Sequence, residues 1–234
     1  NQGGNKVWVN DGNGTFIDSG QSLGALNSIG VAMSDVDDDG DLDAFVANRD
    51  QGNKVWINEG SGTFTDSGQS LGAIDSQDVS LGDVDDDGDL DAFVANYYGN
   101  ANKVYINDGS GTFTDSGQSL GASWTLGVEL GDVDDDGDLD ASVTNGGWTA
   151  NQPNEVWLND GTGTFTDSGQ SLGASGSYDV LLGDVDDDGD LDAFVANAWD
   201  QPNKVWINDG RSDVGDITLN QATAGNYTLT YDGS

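Results

Sequence analysis

The stretch DVDDDGDLDAFVAN, residues Asp83–Asn96, sets the pattern of the whole chain. Its first nine residues recur at Asp35, Asp132 and Asp184, so consecutive copies begin 48, 49 and 52 residues apart. Short apolar runs and Gly- and Asn-rich turns fill each interval, which is typical of small β-sheets that stack on one another. The sequence therefore predicts an all-β repeat protein.

Each unit is expected to contain four short strands. An apolar run precedes the acidic loop, DAFVAN follows it, NKVWIN or a close variant comes third, and TFTDSGQSL comes fourth. In DAFVAN, Ala92 and Val94 lie on the same side as Leu90, whereas Phe93 and Ala95 lie on the other side, because side chains alternate along a strand. Both sides are apolar and should pack against neighbouring sheets, which predicts a β-propeller of four four-stranded blades, with an open stack of the same sheets as the alternative.

The two ends of the chain do not match the repeat. The NKVWVNDG element occurs five times but the acidic loop four times, so residues 1–24 are expected to form half a blade. These strands are expected to complete the blade of the last acidic repeat, or to pair with a neighbouring subunit. The segment 213–234 is expected to form a C-terminal β-hairpin beyond the propeller of residues 1–212. The repeats within that propeller are 25–72, 73–121, 122–173 and 174–212.

Composition excludes several classes of function. The chain carries 43 acidic and 6 basic residues, for a formal net charge of −37, which disfavours binding to nucleic acid or to anionic lipid. It has no cysteine for disulfides or thiolate ligation, and no apolar run long enough to insert into a membrane. Seven Trp, seven Phe and six Tyr placed among aliphatic residues argue against disorder. The start, NQGG, has no Met and no signal segment, so we expect a processed product or a piece of a longer protein.

The acidic loops have the spacing of a cation site. In the loop that begins at Asp83, carboxylates at positions 1, 3, 5 and 9 can converge on one ion, position 7 can add its backbone carbonyl, and Gly88 permits the turn. Ligation by oxygen alone, from many carboxylates, favours Ca²⁺ over Mg²⁺. The sequence therefore predicts four calcium sites. The candidate metal residues, at positions 1, 3, 5, 7 and 9, are Asp35, Asp37, Asp39, Asp41, Asp43, Asp83, Asp85, Asp87, Asp89, Asp91, Asp132, Asp134, Asp136, Asp138, Asp140, Asp184, Asp186, Asp188, Asp190 and Asp192.

Other interpretations of these loops fit less well. An EF-hand needs a Glu at position 12, where this chain has Val46, Val94, Val143 and Val195. The loops of a calcium-binding nonapeptide β-roll recur at every turn of a solenoid, not every 48 to 52 residues. A merely solvated acidic surface would not require the same Asp and Gly positions four times. Calcium sites of this kind fill at extracellular rather than cytosolic calcium, so a secreted or cell-surface location is expected.

The segments DVDDDGDLDAFVAN and NKVYINDGSGTF, residues 83–96 and 102–113, resemble the FG-GAP/VCBS repeat family of integrin-α-like β-propellers. The resemblance implies calcium ligation by the Asp residues at matching positions, an extracellular setting, and a role in adhesion, carbohydrate recognition or scaffolding. The chain departs from the family pattern in two ways. VAN or VTN replaces the Gly-Ala-Pro after the second strand, and there are four full repeats rather than the usual seven.

Differences between the units concentrate in two connectors, before the first strand and after the second. Since successive connections of an up-and-down sheet alternate between its ends, both connectors should lie opposite the calcium loops. They carry aromatic side chains suited to stacking on sugar rings, although such residues also cap cores or pack between subunits. The candidate ligand-binding residues are Tyr97, Tyr98, Trp124, Trp148, Tyr178 and Trp199.

An enzyme is not expected, because the chain has no His and no Cys. A glycosidase would need an acid outside the repeats, such as Glu129. The sequence predicts an extracellular calcium-binding structural or adhesive module that associates with itself or with surface proteins or glycans. The alternative is a lectin-like propeller. Sequons at Asn13 and Asn226 are potential glycosylation sites.

Overall fold

The computed structural model describes residues 3–72, 74–147, 152–210 and 220–222. All regular secondary structure in this part of the chain is β, and no helix in it could cross a membrane. The chain starts with a hairpin of β1 (Trp8–Asn10) and β2 (Phe16–Asp18), called the N-terminal hairpin below.

Four antiparallel sheets of four strands each follow the N-terminal hairpin. The first sheet contains β3 (Ser28–Ser34), β4 (Asp43–Asn48), β5 (Lys54–Asn58) and β6 (Phe64–Asp66). The second contains β7 (Ser76–Gly82), β8 (Asp91–Asn96), β9 (Lys103–Asn107) and β10 (Phe113–Asp115). The third contains β11 (Thr125–Gly131), β12 (Asp140–Asn145), β13 (Glu155–Asn159) and β14 (Phe165–Asp167). The fourth contains β15 (Ser177–Gly183), β16 (Asp192–Asn197), β17 (Lys204–Ile207) and β18 (Asn220–Ala222).

Consecutive sheets pack face to face, as the pattern of DAFVAN predicts. On β8, Ala92 and Val94 belong to the core shared with the first sheet. Phe93 and Ala95, on the other side, belong to the core shared with the third sheet. Each sheet thus has a preceding face, which carries the equivalents of Ala92 and Val94, and a following face, which carries the equivalents of Phe93 and Ala95. The predicted four-stranded propeller blades are confirmed.

Aromatic pairs join the sheets across these cores. Phe45 of the first sheet meets Phe113 of the second edge to face, with 5.3 Å between ring centroids. Phe93 of the second sheet meets Phe165 of the third in the same way at 5.4 Å. Edge-to-face contacts of this kind add to the free energy gained by burying the rings.

The chain ends are arranged differently from the prediction. The N-terminal hairpin does not complete the last blade: β1 and β2 pair with each other, and Leu23 packs with Trp56 on the first sheet. The fourth strand of the last sheet is instead β18, whose residues Asn220–Ala222 pair with β17. This strand lies within segment 213–234, and the other residues of the hairpin expected there lie outside the described part of the chain.

In the described residues, the first and fourth sheets do not pack against each other as consecutive sheets do. Within the described residues, the four propeller blades therefore do not close into a ring through a contact between the first and fourth sheets.

A β-bulge occurs at the same place in the first strand of every sheet. The register shifts between Ser76 and Asp78 on β7, and the other three sheets shift at the equivalent positions. A bulge leaves one residue out of the ladder and turns its side chain in a new direction. The bulged residues are Ile29, Gln77, Leu126 and Tyr178.

Candidate metal loops and the aromatic face

Each acidic loop joins the first and second strands of its sheet. Two of its residues have left-handed backbone conformations: in the second loop, Asp86 has φ 60° and Gly88 has φ 97°. The other three loops repeat both values within a few degrees. Gly adopts this conformation without strain and Asp tolerates it better than most residues, so the sequence DVDDDGDLD favours this curled loop.

The Asp at position 9 links the loop to the third strand of its sheet through hydrogen bonds. Asp91 is fully buried, and its carboxylate accepts hydrogen bonds from the backbone N–H of Val84 at 3.0 Å and of Asn107 at 2.8 Å. The equivalent residues Asp43, Asp140 and Asp192 do the same. Burial raises the pKa of Asp91 to about 6, because removing the carboxylate from water outweighs the two N–H bonds.

Carboxylates converge inside each loop, as the spacing predicts. In every loop, one oxygen from each of three Asp residues lies within 4.8 Å of the other two. The first and third loops contribute positions 1, 3 and 5, whereas the second and fourth contribute positions 1, 3 and 9. The four groups are Asp35, Asp37 and Asp39; Asp83, Asp85 and Asp91; Asp132, Asp134 and Asp136; Asp184, Asp186 and Asp192.

Several of these oxygens are buried without a hydrogen-bond partner. Asp83 accepts a bond of 3.0 Å from the N–H of Gly88 with one oxygen, but its Oδ1 has no partner, and neither has Oδ1 of Asp85. The equivalent oxygens in the first and third loops, from Asp35, Asp37, Asp132 and Asp134, are also unpartnered. Burial, and then the charge of Asp87, raise the pKa of Asp85. Buried anionic oxygens without donors are costly, and a hard cation would satisfy them, so the donor set fits Ca²⁺.

The carboxylates at position 7 do not join these groups. Asp41, Asp89, Asp138 and Asp190 are absent from all four; the sequence predicted a backbone carbonyl ligand, not a carboxylate, at this position. Asp190 instead lies against Asp135, the position-4 residue of the preceding loop. A hydrogen bond between these two side chains, followed by burial, raises the pKa of Asp190 to about 6. Neighbouring loops are therefore electrostatically coupled.

An Asn in the third strand ties each loop to the next sheet. The side-chain amide of Asn107 donates to the carbonyl of Val36, in the acidic loop of the first sheet, at 2.8 Å. Asn159 and Asn208 make the same 2.8 Å bond to Val84 and Val133. These residues were not among the predicted site residues, because Asn-Asp-Gly is fully explained as a turn. The sequence feature that could have identified them is that this Asn is identical in all five copies of the NKVWIN-like element.

The variable connectors meet at the opposite ends of the sheets, around a cavity of about 520 Å³. The four bulged residues line it together with Arg49, Tyr97, Tyr98 and Trp124. Ring centroids are 4.5 Å apart for Tyr97 and Tyr98, and 5.2 Å apart for Tyr97 and Trp124. Tyr178 of the fourth sheet lies 5.7 Å from Trp199. Five of the six predicted aromatic residues thus lie on this aromatic face, while Trp148 is outside the described residues.

Arg49 lies in the connector after β4, at the edge of the aromatic cavity. Arg49 is held by Asp75, whose Oδ1 lies 3.0 Å from its Nε, and by Oε1 of Gln77 at 3.2 Å.

Glu129 of β11 does not line the aromatic cavity. Burial raises its pKa, as do the charges of Asp78 and Asp179 on the neighbouring sheets.

The fold and loops define an all-β repeat protein of stacked blades, each with a carboxylate-rich loop between its first two strands. The FG-GAP-like repeat model matches residues 35–94, 83–143 and 144–195, which together make up more than half of the chain. The chain therefore belongs to the FG-GAP-like repeat family.

A search of curated protein sequences found no significant match. Among solved structures, the chain is similar to a Trypanosoma rangeli sialidase in complex with sialic acid, with 16% identity and a TM-score of 0.46. That match covers 86% of this chain but 36% of the sialidase chain.

Proposed function

We propose that this protein is an extracellular calcium-binding repeat protein that acts as a structural or adhesive surface module. The observation that best supports calcium is the set of buried, unpartnered carboxylate oxygens at positions 1 and 3 of the first three loops. Four Ca²⁺ ions would add +8 to a formal net charge of −37 and relieve repulsion within each loop. Calcium would act here as a structural ion, with no reaction assigned to it.

An extracellular location follows if these sites share the affinity typical of extracellular calcium modules. For sites with a dissociation constant of ~0.1 mM in a medium with ~2 mM Ca²⁺, linkage gives about 1.8 kcal/mol of stability per site. Four such sites would contribute about 7 kcal/mol, as much as the whole stability of many domains. Cytosolic calcium, at micromolar levels or below, would leave these sites nearly empty.

Calcium stoichiometry tests the proposal. Isothermal titration of metal-stripped protein is expected to show four Ca²⁺ per chain, and Asp85→Asn is expected to reduce the number to three, because Asp85 belongs to the convergent group of the second loop. Asp86→Asn is the matched control, since its side chain is outside that group. A wild-type protein that binds no Ca²⁺, or an Asp85→Asn variant that still binds four, would overturn the calcium assignment.

Carbohydrate binding at the aromatic face is a second candidate function. The cavity there is bordered by all four sheets and combines exposed rings, such as Tyr98 and Tyr178, with polar groups such as Gln77. Rings that stack on sugars beside hydrogen-bonding side chains are typical of glycan sites. We propose no enzymatic activity, since the chain contains no His or Cys and Glu129 lies outside the cavity lining.

A glycan array probed with the calcium-loaded protein tests this second function. Any glycan bound by the wild type is expected to be lost with Tyr178→Ala and retained with Trp8→Ala, which removes an equally exposed ring from the N-terminal hairpin. Absence of binding across the array, or equal loss in both variants, would count against a site on the aromatic face.

A further inference from the structure

The preceding face of the first sheet is exposed where the other sheets are covered. Val31 on β3 is 61% exposed, whereas its equivalents Val79, Val128 and Val180 are 6%, 3% and 2% exposed. Those three pack into the core shared with the sheet before them. Val31 differs because the described residues place no complete sheet before the first one.

The following face of the fourth sheet is exposed in the complementary way. Phe194 on β16 is 44% exposed, whereas Phe45 and Phe93 at the same position are fully buried by the next sheet. In the acidic loops, Val185 is 57% exposed against 1% for Val84. The two ends of the stack thus carry the two halves of the interface that joins consecutive sheets, whose Phe–Phe contact occurs twice within the described residues, since the third sheet has Ser142 in place of Phe.

A groove on the first sheet lies where a preceding sheet would pack. A cavity of about 490 Å³ is lined by Val31, Met33 and Phe64, together with Trp8 of the N-terminal hairpin. Phe64 occupies the position in its sheet that Phe113 occupies in the second sheet, where Phe113 meets Phe45 of the preceding sheet. The groove therefore lies where the Phe of a preceding sheet would be placed.

We propose that the occupant is a second copy of this chain, whose fourth sheet packs its following face on the preceding face of the first sheet. Phe194 of one copy then lies against Phe64 of the next. This contact is heterologous, joining two different surfaces, so it generates a head-to-tail chain of copies instead of a closed dimer. The inference deepens the structural role proposed above and rests on it.

Polar groups at the two ends of the stack agree with this pairing. The internal interfaces each contain a bond from a third-strand Asn to a loop carbonyl, such as that from Asn107 to Val36. Asn58 is the equivalent donor on the first sheet, and the hydrogen bond its amide makes, to Leu42, stays within that sheet. The carbonyl of Val185 is the equivalent acceptor at the other end. A second copy would bring Asn58 and Val185 together.

Shape also agrees at the end of the first strand. A Cβ atom added at Gly82 would come within 2.7 Å of Leu139 in the next sheet, and one at Gly131 within 2.8 Å of Leu182. Gly183, the equivalent on the fourth sheet, has open space around it. Met33 and Leu42 are exposed on the first sheet at the positions of the Leu residues that fill this space inside the stack.

The N-terminal hairpin occupies part of the docking surface. The residues that follow the hairpin extend this contact: Leu23 covers Trp56, and Gln21 bonds to the backbone of Gly62 at 2.6 Å and of Phe64 at 2.8 Å. The strands of the hairpin take the place of the outer two strands of a preceding sheet, and residues 6–10 read KVWVN where residues 204–208 of the fourth sheet read KVWIN. The fourth sheet of a second copy therefore displaces the hairpin, which acts as a replaceable cover.

Molar mass by light scattering, over a range of concentrations in excess Ca²⁺, tests the interface. The wild-type chain is expected to grow beyond dimers, whereas Val31→Asp and Phe194→Asp each place an unpaired charge in the contact and weaken association by roughly 100-fold or more. Both residues are exposed, so both variants should fold. Ile17→Asp, on the exposed hairpin surface, is the control and should assemble like the wild type.

Mixing the two variants adds a sharper test. Val31→Asp keeps an intact fourth sheet and Phe194→Asp keeps an intact first sheet, so the mixture should form 1:1 dimers and nothing larger. A wild type that stays monomeric at all concentrations, or variants that assemble like the wild type, would overturn the interface. Calcium stoichiometry measured on the same samples separates this failure from a failure of the calcium assignment.

Discussion

The side-chain amide of Asn107 lies 2.8 Å from the carbonyl oxygen of Val36, so the third strand of one blade donates to the acidic loop of the blade before it. Both groups are buried, and the bond crosses between sheets. Each metal loop but the last is thus closed from one side by the following blade. Loop geometry and blade packing therefore depend on each other.

Replacing this amide should cost stability. Asn107→Ala leaves the Val36 carbonyl buried and unpaired, so we expect a loss of about 1–3 kcal/mol in the free energy of unfolding, measured by urea denaturation of calcium-loaded protein. In dilute, monomeric protein Asn58→Ala is the control, because Asn58 makes no bond to another sheet in the described structure. Equal losses in the two variants would show that the inter-sheet bond contributes nothing.

Aromatic packing gives a second matched pair. Phe93→Ala removes a fully buried ring that meets Phe165 at 5.4 Å, so the expected loss is about 3–5 kcal/mol. Phe194→Ala changes the same repeat position on an exposed face and should cost less than about 1 kcal/mol in dilute, monomeric protein. Thermal or urea unfolding of both variants measures the difference. A small loss for Phe93→Ala would contradict the packed interface.

The metal-free protein should become less stable as pH rises from 5 to 8. Burial raises the folded-state pKa of Asp91 to about 6 and of Asp140 to about 7, above the ordinary value of 3.8. The folded state therefore binds more protons than the unfolded state in this window, and ionisation at higher pH favours unfolding. Midpoints of thermal unfolding, measured in metal-depleted buffers, check the direction.

Calcium should oppose that trend. The bound cation favours the ionised carboxylates, so the increase in melting temperature caused by Ca²⁺ should grow between pH 5 and pH 8. A midpoint in metal-free protein that is constant or rises with pH would contradict the buried position of these two groups.

Contact between neighbouring loops predicts a stabilising substitution. Asp135 and Asp190 share a hydrogen bond that requires a proton on one of them. Asn at position 135 supplies the donor permanently and tolerates the local φ of 60°, so Asp135→Asn should raise the melting temperature of metal-free protein at pH 7.5. Asp187→Asn, at the same position of the last loop, is the control. An unchanged melting temperature in Asp135→Asn would argue against the contact.

Much of the fold could be predicted from sequence, because each strand and loop is local and recurs. The alternation in DAFVAN, for example, gave both packing faces of β8. Strand β18 could not be predicted in its place, since Asn220–Ala222 bears no likeness to the FTD of the other fourth strands. Its pairing with β17 depends on tertiary structure instead of on local pattern.

The arrangement of the metal loops could likewise be predicted only in part from the sequence. The spacing of Asp and Gly was enough to predict convergent carboxylates at positions 1 and 3. The sequence did not predict that Asp91, at position 9, also accepts a hydrogen bond from the backbone of Asn107, or that Asp190, at position 7, lies against Asp135. Both features arise from contacts with other strands or loops, which the nine-residue motif does not contain.

The recurrence of one interface between successive blades bears on how such a chain changes in evolution. Because consecutive blades join through equivalent faces, duplicating or deleting one unit of about 50 residues keeps the same kind of junction, although the third sheet has Ser142 where the first two have Phe45 and Phe93. The variable connectors lie at one end of the blades, away from the metal loops, so recombination between units can exchange their aromatic residues without disturbing the cation sites. The number of blades and the residues of the aromatic face can therefore change independently of each other.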